Sequence, residues 1–213
     1  ENLLNIKGFP VHIRQLIAQK AEGNPFFIEE VARSFIDEGV VEMKDGQFQV
    51  TERINSVIIP ETVHEILMAR IDKLEENTKS LLKIASVIGR NFFYKILVKV
   101  AETIEEIDDK LEFLKEVQLI KERKRLDERE YLFQHALIQE VAYESLLMKK
   151  RKELHLKVAE AIESVFSDRL HEFFGMLAVH YSNGENLEKA EEYLVKAGQE
   201  ALKAAASRAA IPS

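Results

Sequence analysis

The stretch YLFQHALIQEVAYESLLMKKRKELH, residues 131–155, decides the fold class of the chain. It begins with an apolar, strand-like triplet, Tyr131-Leu132-Phe133, and continues into a long helical pattern without glycine or proline. Its apolar residues recur at helical spacing and therefore share one helix face; they are Ile138, Val141, Ala142 and Leu146. His135 lies where the predicted strand meets the predicted helix, and the first-turn N–H groups of a helix point outward, where they can meet a small anion. The stretch therefore predicts a strand followed by a helix, with His135 as a candidate binding residue at the junction.

The composition predicts a cytoplasmic protein with one or two domains. The chain has 213 residues, of which 46% are hydrophobic and 31% are charged. It has no cysteine, which excludes disulfides and thiolate chemistry and favours a reducing compartment. No apolar run approaches the ~20 residues that span a bilayer, and the first residues lack the pattern of a signal peptide. The formal net charge of −7 argues against nucleic acid as the default partner.

Residues 1–58 are predicted to form two helices and a hairpin. Gly23 ends the first helix, Asn24 caps the second, and Pro25 takes the first helical position, so that GNP marks a stop and a restart. The second helix is predicted from Phe26 to about Glu38. Two short strands in residues 40–50 flank Asp45-Gly46, a dipeptide typical of a tight hairpin turn.

Residues 59–148 are predicted to form a winged-helix domain. Apolar residues at helical spacing predict successive helices over 63–74, 81–88, 92–100 and 104–117. Strands over 119–122 and 131–133, joined by a charged turn at 123–130, follow them directly. Helices followed by a two-stranded wing are typical of the winged-helix fold.

Residues 149–213 are predicted to be helical throughout. The patterns Phe174-x-x-Leu177-Ala178-x-x-Tyr181 and Ala190-x-x-x-Leu194-x-x-Ala197 match tetratricopeptide (TPR) offsets, where small residues let two antiparallel helices approach closely. A generic helical hairpin is the alternative explanation. SRAAIPS, residues 207–213, is typical of the start of another helix, so we expect the chain to be a fragment in which further repeats follow. The predicted fold class is mainly α: a helical lid with a small β-hairpin, a winged helix and TPR-like α-hairpins.

Motifs for catalysis are absent from the sequence. It contains no G-x-x-x-x-G-K-[ST] for phosphates, no G-x-S-x-G nucleophile and no H-E-x-x-H metal pair. We therefore expect no enzyme activity and no cofactor or metal in this segment by itself. The predicted recognition helix of the winged helix, residues 101–117, carries seven acidic residues against two lysines and would repel DNA phosphates.

Three segments make the chain resemble the C-terminal half of a STAND-type signalling ATPase of the AAA+ superfamily, as attached to class III adenylate/guanylate cyclases and related bacterial regulators. They are AEGNPFFIEEVARSFIDEGVV (21–41), IPETVHEILMARIDKLEENTKSLLKIASVIG (59–89) and YLFQHALIQEVAYESLL (131–147). The resemblance implies an upstream P-loop domain as a partner, with ADP or ATP and Mg²⁺ bound in the full-length protein. It also implies that the TPR-like helices bind a protein or peptide.

The resemblance further implies a nucleotide site. Gly23-Asn24-Pro25 is similar to the GxP motif of the family, whose proline lies beside adenine; the alternative is that this tripeptide only ends one helix and caps the next. His135 is similar to the histidine that senses the β-phosphate of ADP, although Ala136 stands where the better-known form has aspartate. Its alternative role is to cap or pack at the corner between strand and helix. The expected function is a nucleotide-dependent switch; the alternatives are a helical scaffold that binds a peptide and a winged-helix DNA-binding regulator.

Overall fold

The computed structural model describes residues 9–44, 46–125 and 128–209. The chain divides into two compact units between Leu74 and Glu75. Each unit is mainly helical and carries one small antiparallel sheet, which confirms the predicted fold class. Within the first unit, the helix that begins at Val63 packs against the helix Pro25–Asp37.

The first unit contains three α-helices, two strands and a 3₁₀ helix within its described residues. In chain order they are α1 (Val11–Ala21), α2 (Pro25–Asp37), β1 (Val41–Lys44), β2 (Gln47–Val50), the 3₁₀ helix Glu52–Ser56 and α3 (Val63–Asp72). β1 and β2 pair antiparallel with Val41 opposite Val50 and Lys44 opposite Gln47, as the hairpin prediction requires. Asp45, half of the predicted turn dipeptide, lies outside the described residues.

Periodic apolar residues form the core of the first unit. α1 buries Ile13, Ile17 and Ala21, and α2 buries Phe27, Val31 and Phe35. Both triplets recur every four residues and therefore lie on one helix face. Phe9 stacks on Phe35 with ring centroids 6.1 Å apart. α3 closes this core with a face that includes Ile66, Leu67 and Ile71.

The second unit begins with the topology of a winged helix. Its first elements are α4 (Glu76–Ile88), β3 (Asn91–Phe93), α5 (Tyr94–Val100), α6 (Ile107–Glu116), β4 (Ile120–Arg125) and β5 (Glu128–Phe133). The sheet order is β3-β5-β4, and both pairs are antiparallel. Phe92 on β3 contacts the rings of Tyr131 and Phe133 on β5, each at 5.7 Å between centroids. These rings bury the inner face of the sheet.

Two predicted boundaries in this part were wrong. Phe92 and Phe93, predicted as the beginning of the helix over 92–100, belong to the strand Asn91–Phe93, because its backbone pairs with β5 at Glu130, Tyr131 and Leu132. The helix predicted over 104–117 begins only at Ile107, after Glu106 adopts a left-handed φ of 53°. The strands of the wing extend across most of the predicted charged turn, and residues 126 and 127 of that turn lie outside the described residues.

The long helix predicted across residues 134–155 is divided into α7 (Ala136–Glu144) and α8 (Met148–Val165). No glycine or proline causes the break. The Arg151 side chain instead donates to the carbonyl oxygens of Glu144 (2.7 Å) and Leu146 (2.9 Å), where α7 ends. Arg151 also lies over the Tyr143 ring, 4.6 Å from its centroid. One cation thus replaces the backbone bonds that a continuous helix would have made.

Helices complete the second unit. A 3₁₀ helix (Ser167–Phe173) follows α8 and leads to α9 (Phe174–Asn183) and α10 (Leu187–Ala209), and α9 packs against both α8 and α10. Leu177, Ala178 and Tyr181 of the first TPR-like pattern are buried, whereas Leu194 of the second is 66% exposed. Residues 210–213 of the SRAAIPS segment lie outside the described residues. Across the part of the chain that the structure describes, we find no helix with the length and apolar composition needed to cross a membrane.

Candidate functional site

The predicted Gly23-Asn24-Pro25 site forms the corner between α1 and α2. Glu22 and Gly23 both have positive φ, 47° and 82°, and reverse the chain after α1. An added Cβ at Gly23 would meet no heavy atom within 4 Å, so glycine is needed here for its backbone conformation and not for space. Asn24 Oδ1 accepts a hydrogen bond from the Phe26 N–H at 3.0 Å, and Pro25 occupies the first helical position.

This corner therefore caps a helix, as the alternative explanation of the motif predicts. Gly23, Asn24 and Pro25 are all exposed, and the proline ring offers a rigid apolar surface without an N–H. An exposed rigid ring is chemically suited to contact a flat aromatic ligand. Contact with adenine stays a prediction.

A buried ion pair supports the helix that starts at this corner. Arg70 on α3 donates to the carboxylate of Glu30 on α2, and the two residues are 9% and 2% exposed. The Nε atom of Arg33 lies 3.7 Å from the same carboxylate. Lys20 on α1 adds a bond of 2.6 Å to the carbonyl oxygen of Ile59. These contacts fix α1 and α2 within the first unit and give Glu30 a structural role in it.

His135 lies at the junction between β5 and α7, as predicted, and belongs to the second compact unit. Its backbone is extended (φ −132°, ψ 149°), and its carbonyl oxygen accepts the first bond of α7 from the Ile138 N–H at 3.1 Å. Its side chain makes no capping bond to α7 and is half-buried. The strand before it is held by bonds from Phe133 N to Arg90 O and from Gln134 N to Leu119 O, both 3.0 Å. The imidazole therefore has a rigid backbone support, while the phosphate contact stays a prediction.

A pair of buried histidines also lies in the second unit, and no motif in the sequence indicates it. His155 on α8 and His180 on α9 are 4% and 3% exposed, with their Nδ1 atoms 2.8 Å apart. The Tyr143 hydroxyl on α7 lies 3.0 Å from His155 Nε2. Burial, followed by the charge of Arg151, lowers the pKa of His155 to about 4. Burial, followed by the charge of His155, lowers the pKa of His180 to about 4, against a hydrogen bond to the Ile88 backbone that favours the proton. Both imidazoles are therefore neutral at pH 7.

These histidines border an open cleft of about 580 Å³. Its walls come from the C-terminal end of α4, from α7 and from α9, and they include Val87, Ile88, Met176 and Val179. None of its lining residues is an acid, a lysine or an arginine. Among the described residues, no three histidine, aspartate or glutamate side chains converge as a metal site would require. The arrangement is therefore suited to holding a neutral molecule.

The acidic helix α6 is the part of the winged helix that would meet DNA. Two of its carboxylates are paired within the domain: Asp108 accepts from Arg129 at 2.7 Å, and Glu112 accepts from Lys115 at 2.7 Å. Asp109 and Glu116 are exposed. The Arg129 bond, followed by a bond from the Tyr94 hydroxyl, lowers the pKa of Asp108, so that this carboxylate is ionised and paired.

Comparison with family models matches the N-terminal part of the chain. Residues 1–49 are similar to a family described as a domain of unknown function (DUF8739). The matched region includes α1, α2 and the corner at Gly23-Asn24-Pro25, so this corner lies within the family's shared sequence pattern. A comparison with curated proteins finds none that matches the chain.

Proposed function

We propose that the chain is a regulatory, non-catalytic part of a cytoplasmic STAND-type signalling ATPase of the kind attached to nucleotide cyclases and related regulators. The observation that carries the proposal is the strand-to-helix junction at His135 inside a winged-helix topology. A histidine held by a rigid backbone beside the start of a helix is chemically suited to sense a phosphate. The corner at Gly23-Asn24-Pro25 supports the same proposal, because it exposes a proline at the start of α2.

The proposed mechanism is a two-state switch. Nucleotide binds an upstream P-loop domain together with Mg²⁺. In the ADP state, the Pro25 ring covers the adenine, and the His135 imidazole donates to the β-phosphate. Exchange of ADP for ATP releases these contacts, and the helices from α8 onward pass the change to a protein or peptide partner. A nucleotide shifts the equilibrium between the two states only to the extent that its contacts with Pro25 and His135 are stronger in one state than in the other.

The test is ADP affinity in a protein that includes the upstream domain. We expect His135→Ala to weaken ADP binding about ten- to a hundredfold, because a hydrogen bond to a charged phosphate contributes about 1.5–3 kcal/mol. We expect a smaller loss for Pro25→Ala, which keeps the Asn24 cap and the helix. His171→Ala, an exposed histidine on the 3₁₀ helix after α8, is the matched control and should bind ADP normally. Unchanged ADP affinity in both test variants would rule out the nucleotide clamp.

A helical scaffold that binds a protein or peptide is the second candidate function. One observation favours it, namely the large apolar side chains that α10 exposes: Leu187, Leu194, Val195 and Leu202. The two candidates differ in their response to nucleotide. A scaffold binds its partner equally with ADP and with ATP, whereas the switch binds it differently in the two states.

DNA binding has less support, because α6 presents exposed acids where a recognition helix needs cations. A gel-shift titration with duplex DNA at physiological ionic strength checks this directly. We expect no shift. A shift that weakens with added salt would indicate that the winged helix binds DNA.

A further inference from the structure

One side of α10 is apolar and exposed along most of the helix. α10 has 23 residues and α9 has 10, so the C-terminal part of α10 extends past the helix that it packs against. Residues 201–205 are all exposed, which means that no described element covers any side of the helix there. Apolar and small residues that are exposed recur at helical spacing and form what we call the α10 stripe: Leu187, Leu194, Val195, Gly198, Ala201, Leu202 and Ala205.

The charges beside the stripe differ between the two halves of the helix. The exposed acids of the first half are Glu188, Glu191 and Glu192. The cation of this half, Lys189, is turned toward Glu163 on α8, 3.2 Å away. In the second half, Lys203 has a side chain that is 73% exposed. The outer surface of α10 is therefore acidic in its first half and carries an exposed cation in its second.

Glu192 and Lys203 lie on the same flank of the stripe, because about three helical turns separate them. Each already contacts a neighbour on its own helix. Glu192 pairs with Lys196 at 2.5 Å, and Lys203 pairs with Glu200 at 2.6 Å. Exposed pairs of this kind contribute little to stability, so both charges can be shared with a second helix at small cost.

A second copy of α10 that runs antiparallel matches both the stripe and the charges. With Gly198 opposite its own copy, Leu194 lies opposite Leu202, and the extended second half of each helix covers the first half of the other. The same register brings Glu192 beside Lys203 at both ends, whereas a parallel pair would place the two acidic halves together. An added Cβ at Gly198 would meet no heavy atom within 4 Å, so the centre of the stripe is open to a close approach of two backbones.

We propose that the α10 stripe binds a second copy of this chain as an antiparallel helix pair centred on Gly198. The large side chains that the pair covers are 54–73% exposed in one chain, and they are Leu187, Leu194, Val195 and Leu202. Glu191 lies beside the stripe near its end, opposite the small Ala205. One helix pair is a small interface, so the dimer dissociates on dilution. The proposal involves no nucleotide, stands apart from the proposed ATPase function, and names a partner for the face that a scaffold would use.

Sedimentation equilibrium of the 213-residue chain tests the association. The net charge of −7 opposes it, so the measurement is made at physiological ionic strength, where long-range repulsion is screened. We expect the mean mass to rise from that of one chain at about 1 μM toward that of two chains at about 1 mM. Leu194→Glu places a charge within the stripe and should keep the chain monomeric. Val179→Glu, at a comparably exposed apolar position on α9, is the matched control and should associate as wild type does.

Cross-linking tests the orientation of the two helices. The chain has no cysteine, so a single introduced cysteine reports which positions meet. Gly198→Cys lies opposite its own copy in the antiparallel pair and should form a disulfide between two chains under mild oxidation. Leu187→Cys should not, because about 30 Å separate it from its own copy in this register. A parallel pair would cross-link through both positions.

Charge reversal tests the register. Glu192→Lys turns two attractive contacts into repulsive ones and should weaken the association about tenfold, and adding Lys203→Glu should restore it. The proposal fails if the mass stays at that of one chain up to about 1 mM, or if Leu194→Glu associates as well as Val179→Glu does. It also fails if Leu187→Cys cross-links as readily as Gly198→Cys, or if the double reversal associates as weakly as Glu192→Lys alone.

Discussion

The two compact units bury polar side chains in different ways. The first unit places opposite charges in its core, with Arg70 on Glu30, whereas the second unit places a neutral chain of Tyr143, His155 and His180 there. A buried charge depends strongly on its partner, because water cannot replace it. A neutral group that loses a partner leaves only an unsatisfied donor or acceptor. The units should therefore differ in how strongly they respond to the loss of one partner and in how they respond to acid.

The largest effect is expected for Arg70→Met, which leaves the Glu30 carboxylate buried with only Arg33 nearby. We expect the first unit to lose about 3–5 kcal/mol in its free energy of unfolding. Because two units can unfold separately, the measurement is urea unfolding followed by amide resonances within residues 9–74.

Two further variants sharpen this prediction. Glu30→Met combined with Arg70→Met removes both charges and should recover most of the lost stability. Lys73→Met breaks an exposed pair with Glu38, 2.9 Å apart, and should change the stability by less than about 1 kcal/mol. The contrast between the two units is wrong if Arg70→Met costs no more than Lys73→Met.

Acid should destabilise the second unit through its histidines. The pKa of His155 and that of His180 are each lowered from 6.5 to about 4 in the folded state, so the unfolded chain binds more protons between those values. Stability is therefore complete above about pH 6.5 and falls as the pH approaches 4. A shift of this size corresponds to about 3 kcal/mol for one histidine, and the two titrate as a coupled pair.

The measurement is the urea midpoint of the second unit between pH 7.5 and about 4, the range that the linkage relation sets. A variant carrying His155→Gln and His180→Gln lacks the titrating groups. Its urea midpoint should therefore lose most of its dependence on pH, whatever its stability at neutral pH. A wild-type midpoint that stays constant over this range would show that the pair is not held neutral by burial.

Removing one neutral partner should have a smaller effect than removing one charge. Tyr143→Phe leaves the buried His155 Nε2 without its hydrogen-bond partner, at a cost of about 1–2 kcal/mol to the second unit. Tyr94→Phe is the control, because its hydroxyl bonds the exposed Asp108 at 2.8 Å, where water replaces it. Equal losses in the two variants, measured by urea unfolding, would mean that the buried histidine chain has no greater dependence on its partners than a surface bond.

Features determined by neighbouring residues could be predicted from the sequence. The corner at Gly23-Asn24-Pro25 needs only a left-handed glycine, a capping side chain and a proline, all within three positions. The hairpin of residues 41–50 and the junction at His135 depend on equally local patterns. In each case the signal and the structure lie in the same few residues.

Features that depend on distant residues could not be predicted. Asn91–Phe93 is a strand only because it pairs with β5 almost forty residues later. The break between α7 and α8 follows from the position of Arg151 over the end of α7, which no spacing rule reveals. His155 and His180 come into contact only when α8 and α9 pack together. A search of the sequence for metal or catalytic motifs therefore does not find them.

A smaller effect is expected for the Asn24 cap, where an exposed bond has water as its alternative. Asn24→Ala removes the bond to the Phe26 N–H and should lower the stability of the first unit by about 1 kcal/mol. Asn24→Asp keeps a capping oxygen and should remain within a few tenths of a kcal/mol of wild type. Urea unfolding of residues 9–74 measures both. A loss in Asn24→Ala as large as that in Arg70→Met would mean that exposure does not decide what a lost partner costs in this protein, because the two bonds differ above all in their access to water.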